Sequence, residues 1–405
     1  MSTGNRARRR ILFSIAPATG HLNPVVPLAH ALQRRGNEVK IATSAELAPS
    51  VRRAGLEPVI TCPDLGTEAR TRAIPDFDRR SGPDQARWAI GYLAKPMAEA
   101  IVQLAKQWRP DLIVRDGLGV AAWAVGEELG IPTALFAISG IMPMAAVKTL
   151  LGESLAELRA DRGLPPDCDL SGFYGSLVID TTPPSLQQPG AGAIPQRILM
   201  RPSQWTDGVD GEPPPWLAEL GRRPLVYITL GTVLNQRPDL FRKLVHAVAP
   251  LEVDAVLTVG TDGDPAALGE LPANVRVAPY IPQERIFKLA TAVVCHGGRG
   301  TTYGALDARL PVCMIPLGTD QPSIAAAVER AGAGVVCSTT SITIGAGSLP
   351  LALPDDLTVT ALNNAIVRTL TDATLRQQAG VIAAEIRAMP APDKVAARLE
   401  SLTAG

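Results

Sequence analysis

The stretch that decides the fold runs from residue 293 to residue 321, VVCHGGRGTTYGALDARLPVCMIPLGTDQ. Its first residues, Val293 to Cys295, form a short apolar run that predicts a buried strand, and a glycine-rich turn and a helical pattern follow. A second short strand is predicted at 312–315. Strands that alternate with helices in this way indicate a parallel α/β sheet.

The turn between the first strand and the helix has the composition of an anion-binding site. Glycines at 297, 298 and 300 let a ligand approach the backbone, and the first turn of a helix offers N–H groups and a positive dipole end. Polar side chains stand beside this turn and after the second strand: His296, Thr301, Thr302, Asp320 and Gln321. Together these features predict a ligand that carries a diphosphate and a group with many hydroxyls.

Two other interpretations of this turn remain open. A strand, a glycine turn and a helix also occur as a plain connection in a parallel sheet, without any ligand. A nicotinamide site fits less well, because the glycines at 298, 300 and 304 miss the G-x-G-x-x-G spacing by one residue. No acidic residue is plainly placed to bind a ribose.

Length and composition limit the class of protein. A chain of 405 residues exceeds what one hydrophobic core usually covers, so we expect two domains. The 39 Lys and Arg residues balance 39 Asp and Glu residues, which gives no reason to expect nucleic acid or an anionic membrane as a partner. Five cysteines without metal-like spacing favour a reducing cytoplasm. The apolar segments at 11–15 and 129–147 are too short or too interrupted for a signal peptide or a membrane span, so we expect a soluble, cytoplasmic protein.

Strands alternate with helical patterns in both halves of the chain. Strands are predicted at 11–15, 39–42, 112–114, 133–137, 225–229, 255–259, 275–277, 292–295 and 312–315. Helices are predicted at 24–35 and 373–389, and the Pro- and Gly-rich stretch at 201–216 is predicted to be a linker. This rhythm predicts two doubly wound parallel sheets with right-handed crossovers.

Polar residues follow strands in both predicted domains. His21 comes after the first strand of one, and Gly231-Thr232 and His296 come after strands of the other. Because ligands of open α/β sheets bind at the carboxyl ends of strands, we expect these residues to line one cleft. His21 is a candidate general base, since imidazole titrates near neutrality, although a histidine after a strand is by itself more often structural.

The motifs in this order resemble those of the GT-B glycosyltransferases of family 1, especially the bacterial enzymes that attach sugars to natural products such as antibiotics. The resemblance covers nearly the whole chain, and it rests on 20–24 (GHLNP), 230–232 (LGT), 280–283 (YIPQ), the 296–321 stretch and 388–390 (AMP). It implies an N-terminal acceptor-binding Rossmann-like domain at 1–204 and a linker at 205–218. A donor-binding domain at 219–388 would face the first domain across a cleft, and a helix at 389–405 would pack back on the N-terminal domain.

The resemblance also assigns roles to residues. His21 would deprotonate the acceptor, and Asp116 would fix its tautomer; a helix N-cap is the alternative for Asp116. Donor-binding residues would be Gly231, Thr232, Tyr280, Ile281, Gln283, His296, Gly297, Gly298, Gly300, Thr301, Asp320 and Gln321. Among these, Tyr280 and Ile281 would grip the base and Asp320 and Gln321 the sugar. Ordinary core packing remains open for Tyr280, and plain capping for His296.

One position departs from the family pattern. Members that use UDP-sugars commonly carry a glutamate eight residues after the histidine, where it holds the ribose hydroxyls; here that residue is Gly304. A deoxyribose lacks the 2′-hydroxyl, so its loss favours dTDP-linked deoxysugars over UDP-sugars. No metal or other cofactor is expected, because the D-x-D triplets at 76–78, 167–169 and 262–264 lie in turn-forming segments.

These observations predict an inverting, metal-independent O-glycosyltransferase whose partners are a nucleotide sugar and a hydrophobic aglycone. Phe136, Met142 and Met144 are predicted to line the acceptor pocket, although the same residues suit a core. A UDP-hexose transferase and a catalytically silent nucleotide-sugar-binding homologue are alternatives. So are an epimerase or hydrolase at the same site and, less well supported, a dinucleotide-binding oxidoreductase. A homodimer is left open.

Overall fold

The computed structural model describes residues 8–64, 82–138, 140–188, 194, 196–203, 205, 214–231, 237–260, 263–344 and 347–403. The chain divides into two compact units. The first comprises residues 1–182, 188–208 and 389–405, and the second comprises 183–187 and 209–388. Residues 183–187 therefore group with the second unit, although they fall inside the range expected for the N-terminal domain. Most of the predicted linker, at 206–213, lies outside the described residues.

The first unit is built on a parallel sheet. Its strands are β1 (Arg10–Ser14), β2 (Glu38–Thr43), β3 (Glu57–Ile60), β4 (Leu112–Arg115), β5 (Thr133–Ala137), β6 (Leu177–Asp180) and β7 (Arg197–Leu199). They form a seven-stranded sheet in the order β3-β2-β1-β4-β5-β6-β7. The helices that precede the second unit are α1 (Thr19–Arg34), α2 (Ala48–Arg53), α3 (Gly82–Trp108), α4 (Val120–Leu129) and α5 (Met144–Asp161).

The second unit repeats this architecture. Its strands are β8 (Leu225–Thr229), β9 (Asp254–Thr258), β10 (Val275–Ala278), β11 (Ala292–Cys295), β12 (Val312–Met314) and β13 (Gly334–Val336), followed by a hairpin of β14 (Thr340–Ile344) and β15 (Gly347–Leu351). The six parallel strands have the order β10-β9-β8-β11-β12-β13. Its helices are α6 (Pro238–Val248), α7 (Gln283–Phe287), α8 (Arg299–Asp307), α9 (Gln321–Arg330), α10 (Val359–Thr371) and α11 (Ala373–Ala388). The prediction of two doubly wound parallel sheets is confirmed.

Each sheet of the two units is buried on both faces. In β1, Ile11 and Phe13 belong to one apolar cluster, whereas Leu12 belongs to the cluster on the opposite face. Alternate residues of a strand point to opposite faces, so a continuous apolar run is what a sheet covered on both sides requires. No helix within the described residues is long and apolar enough to cross a membrane.

Helix α1 begins at Thr19, five residues before the predicted start at residue 24. The prediction placed Pro24 at the first helical position, but both Pro24 and Pro27 lie inside the helix. A proline has no N–H to donate to the carbonyl four residues earlier. The carbonyl of Asn23, which Pro27 leaves without its helical donor, accepts a hydrogen bond from Trp205 N at 3.1 Å. The earlier start puts His21 in the first turn of α1.

The last helix, α12 (Pro392–Glu400), packs with the first unit, although the preceding helix belongs to the second. Val395 and Leu399 are fully buried in the cluster that also contains α1 residues. At the end of α12, Glu400 accepts two hydrogen bonds from Arg35, at 3.0 and 2.7 Å. Apolar burial and a two-contact ion pair thus attach the C-terminus to α1.

Candidate active site

Four of the residues singled out in the sequence follow the strands that flank the switch point of each sheet. In the first unit, β1 and β4 are neighbours from which the strand order runs in opposite directions, and His21 and Asp116 follow them. In the second unit, β8 and β11 have the same relation, and Gly231 and His296 follow them. Switch points are where open α/β sheets bind ligands.

His21 and Asp116 form a close pair. His21 Nδ1 lies 2.6 Å from Asp116 Oδ2, and the side chain of Asp116 is fully buried, whereas that of His21 is 24% exposed. An ionised carboxylate only accepts hydrogen bonds, so this contact places the imidazole proton on Nδ1. The lone pair of the neutral ring is then on Nε2, as a general base requires.

The backbone holds the carboxylate of Asp116 on both oxygens. Oδ2 also accepts from Ala16 N at 2.7 Å, and Oδ1 accepts from Leu118 N at 2.9 Å and Gly119 N at 2.7 Å. Burial by itself raises the pKa of Asp116, but the charge and hydrogen bond of His21 and the backbone N–H groups of Ala16 and Gly119 hold that pKa below its usual value. Asp116 is therefore an ionised partner for His21 at neutral pH.

The geometry does not support the N-cap alternative for Asp116. Helix α4 has Gly119 at its N-cap position, and Asp116 instead accepts from the turn that precedes the helix. A side chain at Gly119 would place a Cβ 2.7 Å from Ser14 O and 3.4 Å from Asp116 Oδ1. Gly119 is thus required by space, and its role was not predicted; the Asp-Gly-Leu-Gly turn after a strand was the available signal.

His296 lies between two glycines in the second unit. A Cβ at Gly231 would lie 2.6 Å from His296 Nε2, and a Cβ at Gly298 would overlap the same ring. Gly231 also has a φ of +77°, which favours glycine. The two glycines therefore leave the space in which the imidazole of His296 sits.

The electrostatic state of His296 follows from its burial. Burial lowers the pKa of His296 to about 4, and the nearby charge of Asp320 only partly opposes this. Its Nδ1 is buried and has no hydrogen-bond partner among the described residues. At neutral pH the ring is uncharged, so it can donate one N–H to an anion but cannot supply a positive charge.

Helix α8 begins at Arg299, directly after the predicted glycine turn, with Gly298 as its N-cap. The helix itself provides no hydrogen-bond partner for the N–H groups of residues 298–301. Gln283 Nε2 donates to Thr301 Oγ1 at 2.8 Å, so two predicted site residues are joined. Thr302 is fully buried, and its Oγ1 lies 3.7 Å from Cys295 Sγ. The prediction that Thr302 offers a donor to a ligand is therefore wrong.

The two residues expected to grip the base differ in exposure. Tyr280 is 37% exposed, which argues against the core interpretation of this residue. Ile281 is 1% exposed and packs in the core beside β8 and β11, so only its backbone can face a ligand. A Tyr–Ile pair before α7 thus offers one accessible ring and one anchoring side chain.

The loop after β12 approaches the glycine turn. A Cβ at Gly297, where φ is +82°, would lie 3.4 Å from Gln321 O. Gln321 is 4% exposed, and its Oε1 accepts from Leu317 N at 2.8 Å. Thr319 Oγ1 donates to Asp320 Oδ1 at 3.1 Å. Asp320 remains partly exposed, so a carboxylate next to the turn can accept hydrogen bonds from hydroxyl groups.

The predicted acceptor residues do not share one environment. Phe136 is fully buried in the core that includes α1 and α12, so its assignment to an acceptor pocket is wrong; alternation along β5 points it into the sheet packing. Met142 is 42% exposed, and Met144 packs partly buried against the α3–α4 core. Thr232, predicted to meet the diphosphate, lies outside the described residues.

Within the described residues, no group of three or more His, Cys, Asp and Glu side chains is placed to hold a metal ion. The D-x-D triplet at 167–169 forms a local turn, in which Asp167 accepts hydrogen bonds from Asp169 N at 3.1 Å and Ser171 N at 2.9 Å. The triplet at 76–78 and residue 262 of the third triplet lie outside the described residues.

Sequence comparison places the chain in a family. Models of the erythromycin biosynthesis protein CIII-like family match residues 30–231 for the N-terminal domain and 242–402 for the C-terminal domain. The elloramycin glycosyltransferase ElmGT of Streptomyces olivaceus is 30% identical to the chain and covers 97% of it, over 97% of its own length. The chain belongs to the bacterial natural-product glycosyltransferases.

Other relatives agree with this assignment. The TDP-daunosamine transferase DnrS of Streptomyces peucetius is 26% identical, over 98% of this glycosyltransferase and 97% of the relative. The crystal structure of the glycosyltransferase SnogD from Streptomyces nogalater has a TM-score of 0.75 and 28% identity, over 98% of this chain and 99% of that one. The two parallel-sheet units together with such neighbours confirm the GT-B fold and the enzyme class.

Proposed function

We propose that this glycosyltransferase is an inverting, metal-independent O-glycosyltransferase that moves a deoxysugar from a dTDP-sugar to a hydroxyl of a hydrophobic aglycone. The observation that carries the proposal is the 2.6 Å contact between His21 Nδ1 and the buried carboxylate of Asp116. This pairing makes Nε2 the basic atom and stabilises the imidazolium that forms when it takes a proton.

The proposed reaction is a single displacement. Nε2 of His21 takes the proton of the acceptor hydroxyl, and the oxygen of that hydroxyl attacks C1 of the sugar. The bond between C1 and the diphosphate oxygen breaks, and the diphosphate leaves with the electron pair. Attack from the face opposite the leaving group inverts the configuration at C1.

Leaving-group charge is met by neutral donors in this proposal. The N–H groups of residues 298–301 at the start of α8 and the positive end of its dipole face the diphosphate. His296 adds one N–H from an uncharged ring, because burial lowers the pKa of this residue to about 4. Partly exposed Asp320 accepts hydrogen bonds from the sugar hydroxyls.

Two observations support dTDP as the nucleotide. A Cβ at Gly304 would lie 2.9 Å from Phe287 Cε2, so the Phe287 ring occupies the space that a longer side chain at residue 304 would need. Phe287 is 8% exposed, and its ring lies 5.9 Å from that of Tyr227 in an edge-to-face contact. Residue 304 therefore carries no ribose-binding carboxylate, and a side chain there would require the Phe287 ring to move. The name of the relative DnrS, a TDP-daunosamine transferase, agrees with this choice.

The His21→Ala variant tests the proposed base. We expect it to lose at least about 100-fold in transfer from dTDP-deoxysugars to hydrophobic hydroxyl acceptors, because general-base catalysis contributes roughly 10²–10⁴-fold. Nucleotide binding, measured by calorimetry, should be unchanged, since His21 lies in the other unit from the α8 turn. His30→Ala, on the same helix, is the matched control; its Nε2 lies 2.7 Å from Ala54 O. Undiminished transfer by His21→Ala would refute the assignment of the base.

A further inference from the structure

Arg115, the residue before Asp116, is a buried cation with an unusual set of partners. It is the last residue of β4, is 1% exposed, and pairs in register with Ser14 of β1 and Leu135 of β5. Alternate residues of a strand face opposite sides of the sheet, so Arg115 points away from α1 while Asp116 points toward it. The two side chains therefore leave the same strand end on opposite faces.

The guanidinium of Arg115 is held by backbone carbonyls and an aromatic ring. Nη1 donates to Asp116 O at 3.1 Å, and Nη2 donates to Phe173 O. The guanidinium carbon lies 4.7 Å from the centre of the Phe173 ring. No carboxylate within the described residues forms an ion pair with Arg115, and its Nε is buried without a hydrogen-bond partner there. A fully buried arginine without a paired carboxylate costs stability, so packing alone is a poor reason for its presence.

The contact with Asp116 O connects Arg115 to the pair formed by His21 and Asp116. The carboxylate of Asp116 is held by Ala16, Leu118 and Gly119. Its carbonyl accepts from Arg115 Nη1 at 3.1 Å and from Gly119 N at 3.2 Å, so Arg115 is the only side chain among the described residues that holds this oxygen. Both ends of the residue are therefore restrained, one on each side of the strand. The charge of Asp116 in turn favours the cation, although burial lowers the pKa of Arg115 to about 10.

We propose that Arg115 is a positioning residue that, through the carbonyl of Asp116, keeps the carboxylate aimed at His21 Nδ1. This inference rests on the proposed function of His21 as the base. Arg115 does not touch substrate in this proposal; it acts through the orientation of the pair. Without it, the carbonyl of Asp116 keeps only the 3.2 Å hydrogen bond from Gly119 N, and the short contact between Asp116 and His21 is weakened.

Arg159 offers a matched control in the same core. It is 3% exposed, and its guanidinium carbon lies 5.3 Å from the Trp123 ring, which is itself in edge-to-face contact with Phe173. The guanidinium of Arg159 donates to the carboxylate of Glu127 and to Pro165 O, and among the described residues it forms no hydrogen bond with Asp116. Arg159→Met therefore removes a buried, ring-stacked arginine that does not contact Asp116. Arg115→Met removes the arginine that does.

The test combines kinetics with the proton NMR signal of the His21 Nδ1–H in ¹⁵N-histidine-labelled, full-length protein, with His21→Ala identifying the signal. We expect Arg115→Met to lose this Nδ1–H signal. Its kcat should fall by roughly 10- to 100-fold, which is part of the general-base contribution. Its KM for the nucleotide sugar should be unchanged. Arg159→Met should keep both the signal and the parental kcat. Arg115→Lys keeps the positive charge but lacks the planar guanidinium, so its kcat and its His21 Nδ1–H signal should lie between those of Arg115→Met and the parent enzyme.

The results that would overturn the inference are specific. If Arg115→Met keeps the signal and a kcat within twofold of Arg159→Met, at a temperature where thermal unfolding shows both folded, Arg115 does not position the pair. If Arg115→Met does not fold, Arg115→Lys decides, and parental kcat and signal in that variant contradict the proposal. Failure of the proposed function would give a different result. The parent enzyme would then not transfer sugar, but a comparison of the His21 Nδ1–H signal between the parent and Arg115→Met would still test whether Arg115 positions the pair.

Discussion

At the residue scale, two glycines beside His296, Gly231 after β8 and Gly298 after β11, are needed for space. Gly298 has a φ of −63°, which any residue can adopt, yet a Cβ there would overlap the ring of His296. Gly231 combines a left-handed φ with the same conflict. The missing side chains at these two positions therefore leave the space for the imidazole of His296, beside a helix start whose free N–H groups suit an anion.

The lowered pKa of His296 leads to a prediction about stability and pH. The ordinary pKa of histidine is 6.5, and in the folded protein the pKa of His296 is about 4. As the pH falls from 6.5 toward 4, the unfolded chain binds a proton that the folded protein does not, so this residue lowers the stability with a slope of up to about 1.4 kcal/mol per pH unit. We expect urea unfolding to show a shallower loss of stability in His296→Gln over this range. An unchanged slope in that variant would mean that His296 is not desolvated.

At the scale of elements, helix α1 carries His21 in its first turn and packs against the C-terminal helix α12. Asn37 Nδ2 donates to the same Glu400 oxygen that accepts from Arg35, at 2.7 Å, so one carboxylate holds both the residue that caps α1 and a residue of the following turn. A helix interrupted by two prolines gains support from such neighbours, because packing supplies most helix stability in proteins.

Replacing Glu400 tests this attachment. The side chains of Arg35 and Glu400 are 20% and 17% exposed, so their pair is shielded from solvent. We expect Glu400→Gln to lower the free energy of unfolding by roughly 2 kcal/mol, within the range for hydrogen bonds to charged groups. Asp393→Asn breaks a neighbouring pair with Arg34, whose side chains are 59% and 57% exposed, and it should cost less than about 1 kcal/mol. Equal effects in chemical denaturation would show that burial does not strengthen the α1–α12 pair.

At the scale of the whole molecule, the same architecture occurs twice with different chemistry at the switch point. The first sheet carries an imidazole–carboxylate pair after β1 and β4, which suits proton removal. The second carries a glycine turn, a neutral histidine and a helix start after β11, which suits a diphosphate. In the proposed function, one copy of this topology serves proton removal and the other serves anion binding.

Nucleotide preference is a property of the complete protein, and calorimetry with nucleoside diphosphates measures it. We expect dTDP to bind about tenfold or more tightly than UDP, since in the proposed donor site residue 304 is a glycine and supplies no carboxylate for the ribose 2′-hydroxyl. Binding should not change with EDTA. As a control, dUDP separates the effect of the 2′-hydroxyl from that of the base methyl group, and it should bind nearly as well as dTDP. Tighter binding of UDP than of dTDP would point to a UDP-sugar donor.

Much of the fold was predictable from the sequence, and the errors have physical causes. The strands at 133–137, 225–229 and 292–295 have the predicted bounds, because short β-rich apolar runs between turns are a local signal. The start of α1 was predicted wrongly because a proline is a common first helical residue. The carbonyl of Asn23, which Pro27 leaves without a helical donor, accepts instead from Trp205 N, and Trp205 is remote in sequence. Thr302 was predicted to donate to the ligand and Phe136 to line the acceptor pocket, with a core position left open for Phe136; both are buried, because their burial depends on packing that no local pattern reports.

By itself, the sequence determined the α/β alternation, the order of the motifs and the residue types at the strand ends, since periodicity and turn chemistry are properties of neighbours along the chain. Only the tertiary structure decided which polar groups meet. The contact between His21 and Asp116 joins residues 95 positions apart, and Arg115, Phe287 and Gly119 acquire their significance from what lies against them. Distances, burial and desolvation arise from the packing of remote segments, and these quantities set the charge of Asp116 and the neutrality of His296.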